Sequence, residues 1–351
     1  MSNVTVVGLT PWLPWPLTRW TWWTEPVRAE RLAALRIGMA AVLLFDLFGT
    51  YMPLAGDFFG RGSLGSPEVF DLPTAFRWSV LRRIEDPTMM QAALALWGIA
   101  AAFLLVGAFA RFSAAVAWLM SISIMGLNYY LHNSGDNVRT IGLFYLMLCP
   151  CGAAWSLGNY RAWHKGRREP VYVSAWALRL VFVQMALIYF LNGLYKLAGS
   201  HWREGDMLQC VMGNVAWTRI SAYQLSLPLP VVQLLTWSVL IWELGFPLLV
   251  QLPWLRTSVL WMGVGFHVGT GVFLPLGPFP LYMLCLYLPL IPWECYVDRW
   301  RERVEMSAAR PLMDSEQLEQ AMEPEQVRPA RPQARAAAEA RLPSPQTHHR
   351  A

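Results

Sequence analysis

Eight apolar windows, each close to the length needed to cross a lipid bilayer, constrain this chain more than any other feature. They lie near residues 32–53, 88–109, 112–131, 138–158, 175–197, 231–250, 254–274 and 276–293. A helix needs roughly 20 apolar residues to cross the hydrocarbon layer, about twice the length of a barrel strand. In that layer only helices and closed barrels satisfy every backbone N–H and C=O. The expected fold is therefore all-α, a polytopic transmembrane helix bundle of about eight spans with the lipid bilayer as its partner. Composition agrees: 55% of residues are hydrophobic and 15% charged, where a soluble domain carries about a quarter. The 19 Trp and 12 Tyr suit the membrane–water boundary.

The ends of the chain read differently. Residues 1–28 carry Pro11-Trp12-Leu13-Pro14-Trp15-Pro16 and Trp20-Thr21-Trp22-Trp23 without the apolar core and small-residue cleavage site of a secretory signal. They are expected to form an interfacial segment ahead of a transmembrane domain at 29–298. The stretch 299–351 becomes, from about Ser307, rich in Ala, Arg, Pro, Glu and Gln. Such a composition buries no core, so a disordered cytoplasmic tail is expected there. Eight spans put both termini on one side. Twelve Lys and Arg fall on that side and seven on the other, which predicts an inner-membrane protein with both termini cytoplasmic. The connections 54–87 and 198–230 and the turn at His132 then face outward. Basic residues are scattered between spans, so no nucleic-acid partner is expected. The five cysteines sit mostly in or beside apolar stretches and read as apolar fillers. Cys149-Pro150-Cys151 has too few partners for zinc, and no metal site is expected.

Charges inside the windows each require a reason, because an ionisable group at the bilayer centre costs about 2.5–3.5 kcal/mol on insertion scales. Arg36 and Arg179 lie near the inner ends of their spans, within snorkelling reach of headgroups. Asp46 is deeper and needs an intramembrane partner. Glu243 and His267 each fall near the middle of consecutive antiparallel spans. They read either as a structural hydrogen bond or as a pair that handles protons or touches substrate. Lys196 ends the apolar helix that starts at Ala175 and is followed by Leu197-Ala-Gly-Ser-His201-Trp202-Arg-Glu-Gly205. One reading is an anchor whose stem lets the ammonium reach the interface. The other is a base, since burial disfavours the charged form of an amine. Asn192 lies one turn earlier on the same face, Trp202 and Gly205 follow in a turn able to cover a ligand, and His201 reads as a solvated loop histidine.

Four stretches in order carry a resemblance: Arg36-Ile37-Gly38 with Asp46-Leu47; Gly193-Leu-Tyr-Lys196-Leu197 with Trp202-Arg-Glu-Gly205; Trp242-Glu243-Leu-Gly-Phe-Pro247; and Gly265-Phe-His267. Together they resemble the horizontally transferred transmembrane (HTTM) domain over roughly 28–298. That domain is shared with vitamin K-dependent gamma-carboxylase and with bacterial relatives, some tied to maturation of an exported peptide toxin. The resemblance implies that Lys196 occupies the place of the lysine that deprotonates vitamin K hydroquinone. Departures are visible. The gap from Lys196 to Trp202 is one residue longer, and Tyr195 stands where the carboxylase has a second lysine. No histidine falls at Gly135 to Asn137, His132 being the nearest. A large soluble domain for a propeptide is also missing.

These readings place the working site in an outward-opening cavity. Lys196 is its candidate base, with Glu243 and His267 beside it and Asp136, Asn192, Trp202 and His132 completing the walls. The first expected function is an enzyme in which a quinol-type lipid cofactor loses a proton to Lys196 and drives modification of an exported peptide. The alternative is a non-enzymatic maturation, export or binding factor. A transporter is a third reading, since intramembrane Glu and His relay protons. The charge bias generates a direct test of orientation. In a chain stripped of native cysteines, single cysteines at Ser63 and Ser200 should label from outside intact cells, and ones at His164 and Ser315 should not. Labelling at His164 would reverse the orientation and move Lys196 to the cytoplasmic face.

Overall fold

The computed structural model describes residues 20–59, 78–84, 86–127, 131–166, 169–220 and 227–309. The chain divides into two units, Met1–Val297 and Asp298–Ala351. The first is a helical bundle, and the second is described through the helix that reaches Ala309. The N-terminal segment before Trp20 and the tail from 310 lie outside the described residues.

Chain order runs through a short helix α1 (Trp20–Thr24), strand β1 (Pro26–Arg28), and α2 (Glu30–Asp46), which continues as π-helix through Leu47–Tyr51. Next come α3 (Ala55–Phe58), α4 (Pro87–Val106), α5 (Ala110–Met125), α6 (Ser134–Leu148) and α7 (Leu157–His164). Strand β2 (Tyr172–Ser174) precedes α8 (Trp176–Ala198), α9 (Ser200–Glu204) and α10 (Met207–Gly213). The last part holds α11 (Leu229–Leu249), α12 (Pro253–Phe273), α13 (Phe279–Cys285), a 3₁₀ turn at Leu288–Leu290, and α14 (Trp293–Ala309). Among the described residues the fold is all-α apart from β1 and β2, which pair antiparallel with Val27 opposite Val173.

Among the described residues, four helices are long and apolar enough to cross a membrane: Glu30–Tyr51, Pro87–Val106, Trp176–Ala198 and Leu229–Leu249. The other four expected windows also hold helix, but in shorter, less apolar or broken form. The fourth shifts toward the N-terminus because Asn133 and Asp136 form a capping box, which starts α6 at Ser134, and Cys149-Pro150 follows its end. At 15 residues and about 1.5 Å per residue, α6 falls short of a bilayer. The last window breaks into α13 and the 3₁₀ turn, where Pro278, Pro280, Pro289 and Pro292 remove amide donors. Small residues such as Ala33, Ala40, Ala101, Ala114 and Ala117 are buried on α2, α4 and α5, whereas Phe45, Phe48, Phe103, Phe112 and Ile241 are exposed. A bundle with small residues inside and large apolar ones outside is built for lipid.

Charges cluster at two levels. Where α2 and α8 begin, Arg31 pairs with Glu294 and Arg28 with Glu30. Arg179 pairs with Glu25 at 2.6 Å and stacks on Trp22 at 4.2 Å. Arg36 does not snorkel. It is fully buried, and its Nη2 donates to the carbonyl of Trp155, a residue with left-handed backbone. Gly107 makes this possible: it ends α4 at φ 72°, and any Cβ there would collide with the Arg36 guanidinium. Arg179 likewise reaches a carboxylate of the protein where headgroups were expected.

At the opposite level, Asp46 finds the partner its depth demands. Arg139 Nη1 lies 2.9 Å from Asp46 Oδ2 and 2.8 Å from Asp136 Oδ1. Tyr51 donates to Asp136 at 2.8 Å and Tyr282 to Asp46 at 3.2 Å. The guanidinium packs over the Trp97 ring at 5.0 Å. Arg139, by position one of the seven basic residues on the outward side, is an interior residue; without it the bias is twelve to six and points the same way. Breaking a buried pair from one side costs about 3–5 kcal/mol. Arg139→Met, which leaves two carboxylates without their cation, should therefore lower the thermal midpoint of the detergent-solubilised protein sharply. An unchanged midpoint would contradict a structural role for this cluster.

Candidate functional site

Helix α8 runs from Trp176 to Ala198 with Tyr189, Asn192 and Lys196 one turn apart along one face. Gly193 lies among them because α11 comes close: a Cβ there would stand 2.9 Å from Leu244 Cγ and 3.0 Å from its backbone nitrogen. That approach brings Lys196 Nζ to 2.5 Å from Glu243 Oε1. Glu243 is almost wholly buried, whereas Lys196 keeps 20% of its side chain exposed. The ammonium also lies 4.8 Å from the Trp202 ring and 5.4 Å from that of Phe266, within cation–π range. Trp202 is held by the turn after α9. There Gly205 adopts φ 86°, and Trp237 Nε1 donates to the carbonyl of Arg203 at 3.1 Å.

These groups face a cavity of about 560 Å³. Its walls combine Lys196, Glu243, His267, Asn192, Tyr189 and Trp202 with a larger apolar share from α10 to α13, including Leu208, Val239, Phe266 and Phe279. The contributing ends are the start of α6, the end of α8, the start of α11, the end of α12 and the start of α13. They all belong to one end of the bundle. Lys196, Glu243, His267, Asn192 and Trp202 all line this one cavity.

Two expectations require correction. Glu243 and His267 share the cavity but do not bond to each other. His267 Nε2 lies 2.7 Å from the Tyr189 hydroxyl, which in turn lies 2.7 Å from the Tyr287 hydroxyl. Glu243 Oε2 and His267 Nδ1 are buried without hydrogen-bond partners. The physical reason is that Lys196, across the close α8–α11 contact, offers Glu243 a cation. Nor is Asp136 a cavity wall: it belongs to the α6 capping box and the Arg139 cluster. His132, half-buried in the preceding turn, is also outside the lining; Ser134 takes that position. Tyr189, Tyr287 and Phe266 were missed. Tyr189 carried a usable signal, lying seven residues before Lys196 and hence on its face, whereas Tyr287 lay in the Pro-rich final window.

A bundle with an apolar exterior, paired interior charges and a largely apolar cavity presenting a lysine–carboxylate pair defines an integral membrane protein with an intramembrane polar site. The model of the HTTM domain matches residues 25–293, most of the chain, and the protein belongs to that family. No curated protein and no solved structure matches it.

The geometry predicts which residues are coupled. Contacting charges show non-additive mutational effects of about 0.5–3 kcal/mol. Lys196→Met and Glu243→Gln should therefore combine non-additively in thermal unfolding, and the coupling between Glu243→Gln and His267→Phe, which share no direct bond, should be the smaller of the two. Additive effects for the first pair would remove the ion pair from this description.

Proposed function

We propose that the protein is a membrane-embedded catalyst in which Lys196 takes a proton from a lipid-soluble, quinol-type cofactor. The observation that carries this reading is the Lys196–Glu243 pair, 2.5 Å apart, in the wall of a cavity otherwise lined mainly by apolar side chains. An apolar ring with an acidic hydroxyl fits such walls. The proton of the pair has two positions, ammonium facing carboxylate or amine facing carboxylic acid. The second presents a free amine. Transfer of a hydroxyl proton to that amine leaves an ammonium beside the new oxyanion, the charge arrangement that stabilises it. Trp202 and Phe266 flank the same nitrogen and limit water there. His267 Nδ1, lacking a hydrogen-bond partner in the cavity wall, offers the cofactor a second polar contact.

The exported peptide as recipient of the modification follows from the family resemblance; the geometry supports the proton step. The basic-residue bias supports an inner-membrane location with cytoplasmic termini. With the sequence-based orientation, the end of the bundle that carries the cavity faces outward, where an exported peptide would meet it. The non-enzymatic reading, a binding or maturation factor, is favoured by one observation, the apolar majority of the lining.

Lys196→Arg and Lys196→Met separate the readings. A guanidinium does not deprotonate in proteins, so a base fails in both variants while an anchor survives as Arg. If a secreted peptide is encoded beside this gene, its mature yield at equal membrane abundance, followed by mass spectrometry, should fall by about 10²–10⁴-fold in both; the Met variant, which leaves the buried Glu243 without its cation, should also unfold at a lower temperature. Full yield from the Arg variant would reduce Lys196 to an anchor. Full yield from the Met variant would favour the binding factor.

A further inference from the structure

The turn between α9 and α10 assembles three side chains of different chemistry that the proton-transfer reading does not use. A ring nitrogen of His201, a carboxylate oxygen of Asp206 and the sulfur of Cys210 all lie within 4.8 Å of one another. His201 Nδ1 is 3.0 and 3.1 Å from the two Asp206 oxygens. The backbone explains the convergence. Gly205, in left-handed conformation at φ 86°, reverses the chain so that the amides of Gly205 and Asp206 both donate to the His201 carbonyl. Asp206 then caps α10, and the Cys210 amide donates to its carbonyl one turn on, which places the carboxylate and the thiol on the same side of that turn. The local charge favours a cation: Asp206 and Glu204 both act electrostatically on Cys210. The guanidinium of Arg203, on the same short helix as His201, donates instead to the carbonyls of Leu197 and Ala198.

We propose that His201, Asp206 and Cys210 bind a zinc-class divalent cation at the rim of the cavity. Imidazole, carboxylate and thiolate are the three ligand types zinc takes, at about 2.0–2.3 Å. Donors at those lengths around a tetrahedral ion stand about 3.3–3.8 Å apart, so the three side chains need only a small closure, and their exposed positions permit it. Three protein ligands leave a fourth position for water. Binding releases the thiol proton and replaces the His201–Asp206 hydrogen bond with two metal bonds. The ion also joins α9 to α10. Trp202 of α9 and Met207, Leu208 and Val211 of α10 line the cavity, so a bound cation fixes the part of the wall that carries Trp202 beside Lys196. The site stands on its own geometry and does not depend on Lys196 acting as a base.

The test uses the full-length protein, purified without a polyhistidine tag, stripped with chelator and titrated with Co²⁺. A thiolate–cobalt charge-transfer band should appear with saturation at one ion per chain and disappear on addition of Zn²⁺. It should be absent in Cys210→Ser and weaker by more than about tenfold in affinity in His201→Ala and Asp206→Asn. The thiolate origin of the band separates this site from the tail histidines His348 and His349. Thermal midpoints measured alongside identify a misfolded variant, and the near-isosteric Asp206→Asn keeps the test open if one fails to fold. A wild-type protein without the band, or a band that persists in folded Cys210→Ser, would overturn the proposal.

Discussion

An ion leaving water for hydrocarbon must find its counterpart within the protein, and this requirement organises the bundle. Lipid tails give apolar helices little reason to choose one another, whereas an unpaired charge imposes a cost that only one neighbour relieves. Arg139 therefore draws α2, α6 and α13 together through Asp46, Asp136 and Tyr282. Lys196 and Glu243 do the same for α8 and α11, with Gly193 allowing the backbones close enough for the bond. At the other level, Arg31, Arg36 and Arg179 tie the starts of α2 and α8 to Glu294, Trp155 and Glu25. Apart from Arg139–Asp136, which lie one turn apart on α6, these contacts join residues distant in sequence, so pairing charges and setting helix order are one process.

The two charged clusters toward the cavity end differ in a way that separates structure from function. Around Arg139 the side chains also include atoms without hydrogen-bond partners among the described residues, Asp46 Oδ1 and Arg139 Nε, but they are almost wholly enclosed, which leaves little space for a ligand. Around Lys196 the ammonium keeps a fifth of its surface open, and the walls beyond it are largely apolar. Glu243 spends one oxygen on Lys196 and leaves the other without a hydrogen-bond partner; His267 spends one ring nitrogen on Tyr189. A site with unmatched polar atoms beside an apolar volume is arranged to receive a molecule whose own polar end completes the bonding.

Much of this architecture was legible in the residues, and the misses share a cause. Window length sufficed to locate helices because apolar runs of some twenty residues have few alternatives. Ser134-Gly-Asp-Asn137 is turn-like in composition, so the window began at 138 with Arg139 at its outward end, whereas the capping box at Asn133–Asp136 starts α6 at Ser134 and sets Arg139 inside it. Lys196 was legible as a cation ending an apolar helix. Its partner was not, because the 47-residue separation to Glu243 is bridged by a helix crossing that no local pattern records. The same limit produced the mistaken Glu243–His267 bond: both residues lie on the two consecutive helices to which their windows assigned them, α11 and α12, but rotation about each helix axis was undetermined. No regular ligand spacing connects His201, Asp206 and Cys210 in the sequence; the left-handed turn at Gly205 brings them together.

The central claim, that Lys196 and Glu243 share a proton inside an apolar cavity, is accessible to a direct measurement because the chain has only two lysines, Lys165 and Lys196. Nitrogen-15 labelling of lysine in bilayer-embedded protein gives two side-chain signals for solid-state NMR, and Lys165→Arg assigns them. The account predicts that the Lys196 Nζ signal shows a through-space contact to a glutamate carboxyl carbon. It should also move on Glu243→Gln while that of Lys165 stays fixed. A Lys196 signal indistinguishable from that of Lys165 and indifferent to Glu243→Gln would contradict it.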